Sequence, residues 1–398
     1  MNKDTLNKDT LFESVERHKD NWIQISRYIW ENPELGNEEF KAMEALTEEL
    51  RTHGFEIETN IADLETAFIA KFRSEKPGPT LGYFAEYDAL PEIGHACGHN
   101  LIGMMGTGAA IALKEAVAEF GGEVIVFGTP AEETNGAKVI FADKGLLNDL
   151  DAALMVHPSG VHERSGSSMA MEAVQFDFYG KPAHAAASPD QGVNALEGVI
   201  QTFNLINSLR QHLPDDVRIH GIITNGGDVV NVVPARAQAQ FYVRANEKQV
   251  LEETSAKVKS CVEAAALATG CEFKISNHEL SYDNLTTNET LSELYCENLI
   301  ALGVAPEEIL KDQDHGSLDM GNVSQVAPSI HPYIKMENCP YSAHTEGFRD
   351  ATGDSRGFEA MILGIKTLAA TGYDLLTNPA YVKEIKEEFD RTVARKDR

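Results

Sequence analysis

Residues 81–100 read LGYFAEYDALPEIGHACGHN, and the way this stretch changes character sets the frame for the whole chain. An apolar run at 81–85 gives way to charged and turn-forming residues, then to Cys97 and His99, one residue apart. Short apolar runs bounded by such residues read as buried strands. Two later segments share the form. In IVFGTPAEE (125–133) a strand at 124–128 leads to Glu132 and Glu133, and in ALMVHP (153–158) a strand at 153–156 leads to His157. A further strand is expected at 67–72, and helical stretches separate the last three. The resulting β-α-β-α-β order predicts an α/β layer with a largely parallel sheet. Open sheets of this kind bind ligands beyond the carboxyl ends of their strands. Cys97, His99, Glu132, Glu133 and His157 are therefore expected to converge on one rim.

Taken singly, these residues say little. A C-x-H pair recurs by chance, adjacent glutamates are usually a solvated surface, and a histidine after a strand is often structural. Their coincidence at equivalent ends of three strands carries the argument. Thiolate, imidazole and carboxylate together suit zinc or a similar borderline ion, and the carboxylates keep manganese and cobalt open. Five candidate ligands exceed the three or four of one catalytic zinc. Two ions about 3.5–4 Å apart would use them, with Cys97 as a bridge whose thiolate two cations would stabilise. Of the paired glutamates, one can bind metal while the other takes a proton from a metal-activated water.

Outward from this core, apolar residues at helical spacing over 11–29 predict an opening helix, and a second runs from 38 to 53 and stops at Gly54. From residue 172 the rhythm becomes strand 174–179, helix 194–212, strands 218–224 and 237–244, helix 250–268, strand 272–276. That is the β-α-β-β-α-β order of ferredoxin-like folds. The α/β pattern resumes near residue 286, and a last helix over 356–370 is closed by Gly372. The expected organisation is a discontinuous catalytic domain (1–171 and 284–398) with an inserted lid, 172–283.

A chain of 398 residues fits two domains. Its formal net charge of -28 repels nucleic acid and anionic membrane surfaces. The amino terminus shows no signal peptide, no apolar run appears long enough to span a bilayer, and the five irregularly spaced cysteines read as reduced thiols. A cytoplasmic protein without nucleic-acid or membrane partners is expected. His18 and His53 lie in helices away from the rim and read as surface or core positions. His184, in GKPAHAAASP, sits in a small-residue turn from which it could project across a cleft.

The motifs GHACGHN, PAEE, VHP, GKPAHAAASP, NVVPARAQAQFYVRA and AHTEGF, in this order, resemble the metallopeptidase family M-twenty, which holds aminoacylases, hippurate hydrolases and p-aminobenzoyl-glutamate hydrolases. The similarity is greatest to the cysteine-containing branch with p-aminobenzoyl-glutamate hydrolase-like and Xaa-Arg dipeptidase-like members. The resemblance implies a zinc-exopeptidase-like α/β catalytic domain with an inserted ferredoxin-like lid that also dimerises. It implies metal ligands at Cys97, His99, Glu133, His157 and His344, a general base at Glu132, and an orienting carboxylate at Asp88. It further implies an oxyanion-stabilising histidine at His184 and substrate contacts at Asn231, with Ser317 and Asp319 added from a similarly placed loop. Glu86 stands where distant branches carry a ligating histidine. The implied cofactors are two divalent ions, zinc or manganese with cobalt also compatible. The implied activity is hydrolysis of an amide in a small N-acyl amino acid, dipeptide or aminobenzoyl-glutamate-like conjugate by a homodimer. A non-catalytic relative that binds a small molecule is the alternative, as is a thiol protein centred on Cys97.

Overall fold

The computed structural model describes residues 6–311 and 314–396. The chain divides into two compact units. One comprises Met1–Ser167, Leu285–His315 and Asp319–Arg398; the other comprises Ser168–Asn284 with Gly316–Leu318.

The first unit is built on a six-stranded sheet. Its order is Glu56–Ile61, Leu64–Arg73, Glu123–Gly128, Thr80–Ala85, Ala152–Leu154, Ser329–Ile330. The first two pairings are antiparallel and the other three parallel. The parallel strands are short and nearly continuous in apolar residues, as burial on both faces requires. Phe84 and Phe127, paired across two of them, stack at 5.2 Å. Helix His99–Phe120 lies on this sheet and packs against helices Lys8–Glu31 and Ser355–Thr377. Its small residues make that approach feasible: a Cβ at Gly106 would come within 2.6 Å of the Phe84 carbonyl oxygen. Among the described residues this is a helix long and apolar enough to cross a membrane, contrary to what the apolar runs of the sequence suggest. Its burial inside the unit is that of a core helix.

Three further differences have physical causes. Strand Glu56–Ile61 is largely exposed, so it lacks the apolar alternation that would announce it. The helix expected to close at Gly372 runs on to Thr377, because this glycine answers a packing need: a Cβ there would lie 2.2 Å from the Tyr83 hydroxyl. A terminal helix, Pro379–Lys396, follows with proline at its first position. Its Glu388 carboxylate accepts the backbone N–H groups of Glu289 and Thr290, at 2.6 and 3.0 Å, at the start of helix Glu289–Ala301.

The second unit is a four-stranded antiparallel sheet with order Arg218–Asn225, Arg236–Ala245, Ala170–Tyr179, Glu272–Asn277. Helices Ala195–Leu209 and Lys248–Thr269 pack on it, consistent with a split βαβ arrangement. Along Arg236–Ala245 every second residue is buried (Ala237, Ala239, Phe241, Val243, Ala245), the period of a sheet with one covered face. Phe241 lies 4.6 Å from Phe203 and 5.5 Å from Phe176 at the centre of that core.

Gly372 provides a test in which two effects oppose. Helix propensity favours alanine over glycine by about 1 kcal/mol. Overpacking against the buried Tyr83, whose hydroxyl donates to the Leu368 carbonyl at 3.1 Å, costs about 1–3 kcal/mol. Gly372→Ala is expected to lower the urea unfolding midpoint, and an unchanged or raised midpoint would show that propensity wins.

Candidate metal centre

Three chain segments leave the sheet at its carboxyl edge and are locked in place there by backbone contacts. After Thr80–Ala85 come Glu86, Tyr87 and Asp88, all buried, with the Tyr87 hydroxyl donating to the Thr66 carbonyl at 2.6 Å. The chain then loops to Cys97 and enters helix His99–Phe120 through Gly98, whose φ is +85°. Only glycine fits there, since a Cβ would also meet Pro158 Cγ at 2.5 Å. After Glu123–Gly128, Ala131 adopts a left-handed φ of +61° and turns the chain so that Glu132 and Glu133 follow. Glu39 holds this turn. One of its carboxylate oxygens accepts the Ala131 N–H at 2.9 Å and the other accepts the Thr66 hydroxyl at 2.8 Å. From the same N-terminal segment, the Glu34 carbonyl accepts the Ala89 N–H at 2.8 Å.

Asp88 joins two of these segments. Its Oδ1 lies 2.9 Å from His99 Nδ1, and its Oδ2 accepts the Glu133 N–H at 3.1 Å. A proton on His99 Nδ1 leaves the Nε2 lone pair facing the site, the usual way a carboxylate orients a ligating imidazole. His157 is oriented similarly: its Nδ1 donates to the Pro158 carbonyl at 2.8 Å, and its Nε2 lies 3.4 Å from Cys97 Sγ. His344 arrives from a late loop with φ of +65°, its backbone N–H donating to the Ala96 carbonyl at 2.9 Å. Its Nε2 stands 3.2 Å from Glu133 Oε1.

Donor atoms of Cys97, His99 and His157 lie within 4.8 Å of one another, and so do those of Cys97, Glu133 and His344. Cys97 belongs to both triads, which is the place of a ligand shared by two ions. Glu132 joins His99 and Glu133 in a third group of the same tightness. Among the described residues the buried His99 Nε2 makes no hydrogen bond, and it faces Glu133 Oε1 at 3.9 Å. Leaving such an atom unsatisfied costs about 1–3 kcal/mol, and a cation between the two removes the cost. The residues therefore fit a divalent metal pair, and the mixed sulfur, nitrogen and oxygen donors fit a borderline ion.

The electrostatics point the same way. Burial raises the Cys97 thiol, while the neighbouring His99 opposes that. Burial also raises Glu132 well above the usual carboxylate range, reinforced by Glu86, Asp319 and Glu133. Burial alone would raise Asp88, but the His99 imidazole and the Glu133 N–H hold it below its ordinary value. Burial would lower His99, but Asp88 and Cys97 raise it. Without cations this is a site that gathers protons, and metal binding would displace them.

Asp319, expected to face a substrate, has another place. Its side chain is fully buried, with Oδ1 accepting Lys138 Nζ at 2.7 Å and Oδ2 accepting the Lys138 N–H at 3.2 Å. Lys138 also donates to Glu86 at 2.5 Å, so the residue standing in for a distant ligating histidine is tied to an internal ammonium group. Neither Lys138 nor Glu39 stood out in the sequence. The available signals were a lysine amid the apolar residues of GAKVIF and the third glutamate in ELGNEEF. His95 is buried and belongs to none of the three groups; burial pushes its pKa down to about 3.

The remaining expected residues belong to the inserted unit. His184 is exposed, and its Nδ1 accepts the N–H groups of Ala186 and Ala187 at 3.3 and 3.2 Å. Asn231 is exposed, with its carbonyl accepting the Ala185 N–H at 3.0 Å. The Ser317 hydroxyl accepts Arg244 Nη1 at 2.8 Å.

Fold and site together define a hydrolytic metal enzyme. The family model of the peptidase dimerisation domain matches residues 167–270. The chain is 37% identical over 384 residues to the Xaa-Arg dipeptidase of Mus musculus, covering 92% of this chain and 88% of that protein. It is 28% identical to a p-aminobenzoyl-glutamate hydrolase component of Escherichia coli, covering 95% and 94%. A solved dinuclear metal-binding peptidase of the M-twenty family from Bacillus subtilis superposes with a TM-score of 0.69 at 20% identity, over 91% of this chain and 99% of that one. The chain thus belongs to the M-twenty family of metallopeptidases and amidohydrolases, and it is a metal-dependent hydrolase of amide bonds.

Two predictions come from this geometry. Asp88→Ala is expected to weaken metal affinity by about 10–100-fold, read by competition with a chelator. Glu39→Gln keeps an acceptor for Ala131 and is expected to retain turnover, whereas Glu39→Ala is expected to lose kcat with KM little changed. Burial pushes Glu39 up to about 7 from an ordinary value of 4.5. The folded state thus holds the extra proton, so this contribution is fully present below pH 4.5 and lost as the pH rises through 7. Melting temperatures of wild type and Glu39→Gln should diverge over that window, in the variant's favour as pH rises.

Proposed function

We propose that this protein is a dipeptidase that hydrolyses small amides and prefers a substrate bearing a cationic residue. The observation that carries the reading is Cys97 shared between two ligand triads, with Glu132 beside them. The name of the mouse relative supports the substrate, and so does the formal charge of -28, which draws cations and repels anions. N-acyl amino acids and aminobenzoyl-glutamate-like conjugates are the competing substrates, the latter favoured by the name of the bacterial relative.

In this reading Cys97, His99, Glu133, His157 and His344 hold two divalent ions, zinc or manganese with cobalt also compatible. Such ions supply polarisation of the amide carbonyl and a lowered pKa for a water molecule. Glu132 accepts the water proton and returns it to the leaving amine. Asp88 keeps His99 in the ligating tautomer. His184 is assigned the oxyanion; two N–H groups accepted at its Nδ1 leave the proton on Nε2, as a donor requires. Asn231 and Ser317 are the substrate contacts carried by resemblance. A cytoplasmic location belongs to the same reading, supported by five free thiols.

A homodimer through the inserted unit completes the proposal. Arg218–Asn225 is an edge strand, and it exposes Ile222 (63%) and Ile223 (45%) near a fully exposed Val230. Unpaired strand edges with apolar side chains invite pairing. Ile222→Asp combined with Val230→Asp should shift the sedimenting species from dimer to monomer.

Glu132→Gln, loaded with metal, is expected to keep both ions and lose about 10²–10⁴-fold in turnover. Near-normal turnover would remove Glu132 as the base. A panel of Xaa-Arg and Xaa-Lys dipeptides, N-acyl amino acids and aminobenzoyl-glutamate, run with zinc, manganese and cobalt, tests the substrate. Faster cleavage of the anionic conjugate than of the cationic dipeptides would overturn the preference.

A further inference from the structure

We infer that His18, Glu49 and His53 form a separate metal site, distinct from the dinuclear centre, for a borderline divalent cation such as zinc. Donor atoms of the three residues lie within 4.8 Å of one another. Two helices supply them. Glu49 and His53 are four residues apart at the end of helix Phe40–Thr52 and so share a face, while His18 comes from helix Lys8–Glu31. Glu49 Oε1 lies 3.3 Å from His53 Nε2. Ligands at zinc–ligand distances of about 2.0–2.1 Å sit roughly 3.3 Å apart in a tetrahedron, so this edge already has the required length. The His18 ring stands 4.7 Å from that of His53, at 84° to it.

The carboxylate is prepared as a ligating carboxylate is. Glu49 is 8% exposed, and its oxygens accept Trp22 Nε1 at 2.8 Å and Asn21 Nδ2 at 2.9 Å. Such outer contacts fix a ligand's direction and are characteristic of metal sites. His18, by contrast, makes ring contacts with Trp22 and His53 and, among the described residues, no hydrogen bond. Both histidines are half-buried, giving an ion access from solvent. Two imidazoles and one carboxylate do not suit magnesium or calcium, which take oxygen ligands. Bound there, the ion would staple the first two helices together.

The test uses metal-replete enzyme, desalted and titrated with zinc chloride by calorimetry, with elemental analysis of the product. Wild type is expected to take up one more equivalent per chain than His18→Ala or His53→Ala, each of which should weaken this uptake at least tenfold. Retained turnover and dinuclear occupancy in these variants serve as the folding control. Zinc should also raise the melting temperature of wild type more than that of either variant. Absence of the extra equivalent in wild type, or uptake weakened less than tenfold in either variant, would overturn the assignment.

Discussion

The Asp88 carboxylate reaches two separate chain segments, His99 through Nδ1 and Glu133 through its backbone N–H, and the rest of the centre is arranged around that bridge. One bond sets the imidazole tautomer and the other sets where the glutamate pair begins. Both oxygens are committed, and the side chain is buried, so neither contact competes with solvent. The sheet brings the segments near each other; the carboxylate determines which atoms face inward. Glu39 does the corresponding work from behind, holding Ala131 in a conformation that a non-glycine residue adopts only under constraint.

The charge balance follows from the same geometry. Glu86, Asp88, Glu132 and Asp319 crowd around one internal lysine, Lys138, and Glu133 adjoins Glu132. Burial raises Glu132 well above its ordinary range, and neighbouring carboxylates that cannot all ionise without cations add to it. Lys138 offsets Glu86 and Asp319 on the inner side. Ions on the outer side would offset Cys97, Glu133 and Glu132, returning Glu132 to the ionised form a base needs. With Glu132 as the proposed base, catalytic competence and metal loading become one electrostatic condition.

Much of the centre was readable in advance because strands of a parallel sheet point their ends the same way. Cys97, His99, Glu132, Glu133 and His157 each follow an apolar run, and that adjacency is a local pattern. His344 follows none; it depends on a turn with positive φ and a hydrogen bond to Ala96, neither of which leaves a periodic trace. Asp319 read as a substrate contact and Lys138 did not stand out, for the opposite reason. Only the packing of distant segments shows the two paired and buried. Gly372 likewise reads as a helix stop until the Tyr83 hydroxyl beneath it is seen.

By itself, the sequence determined the strand and helix rhythm, the insertion of a second unit, and the kinds of donor atom at the ends of three strands. These depend on the alternation of apolar and polar residues and on motifs within short windows. Tertiary structure alone decided which nitrogen of each histidine faces inward and that Asp319 is spent on Lys138. It also brought His18 onto the Glu49–His53 face of another helix. Such relations join residues far apart in the chain, so they are set by distances and directions that no local pattern encodes.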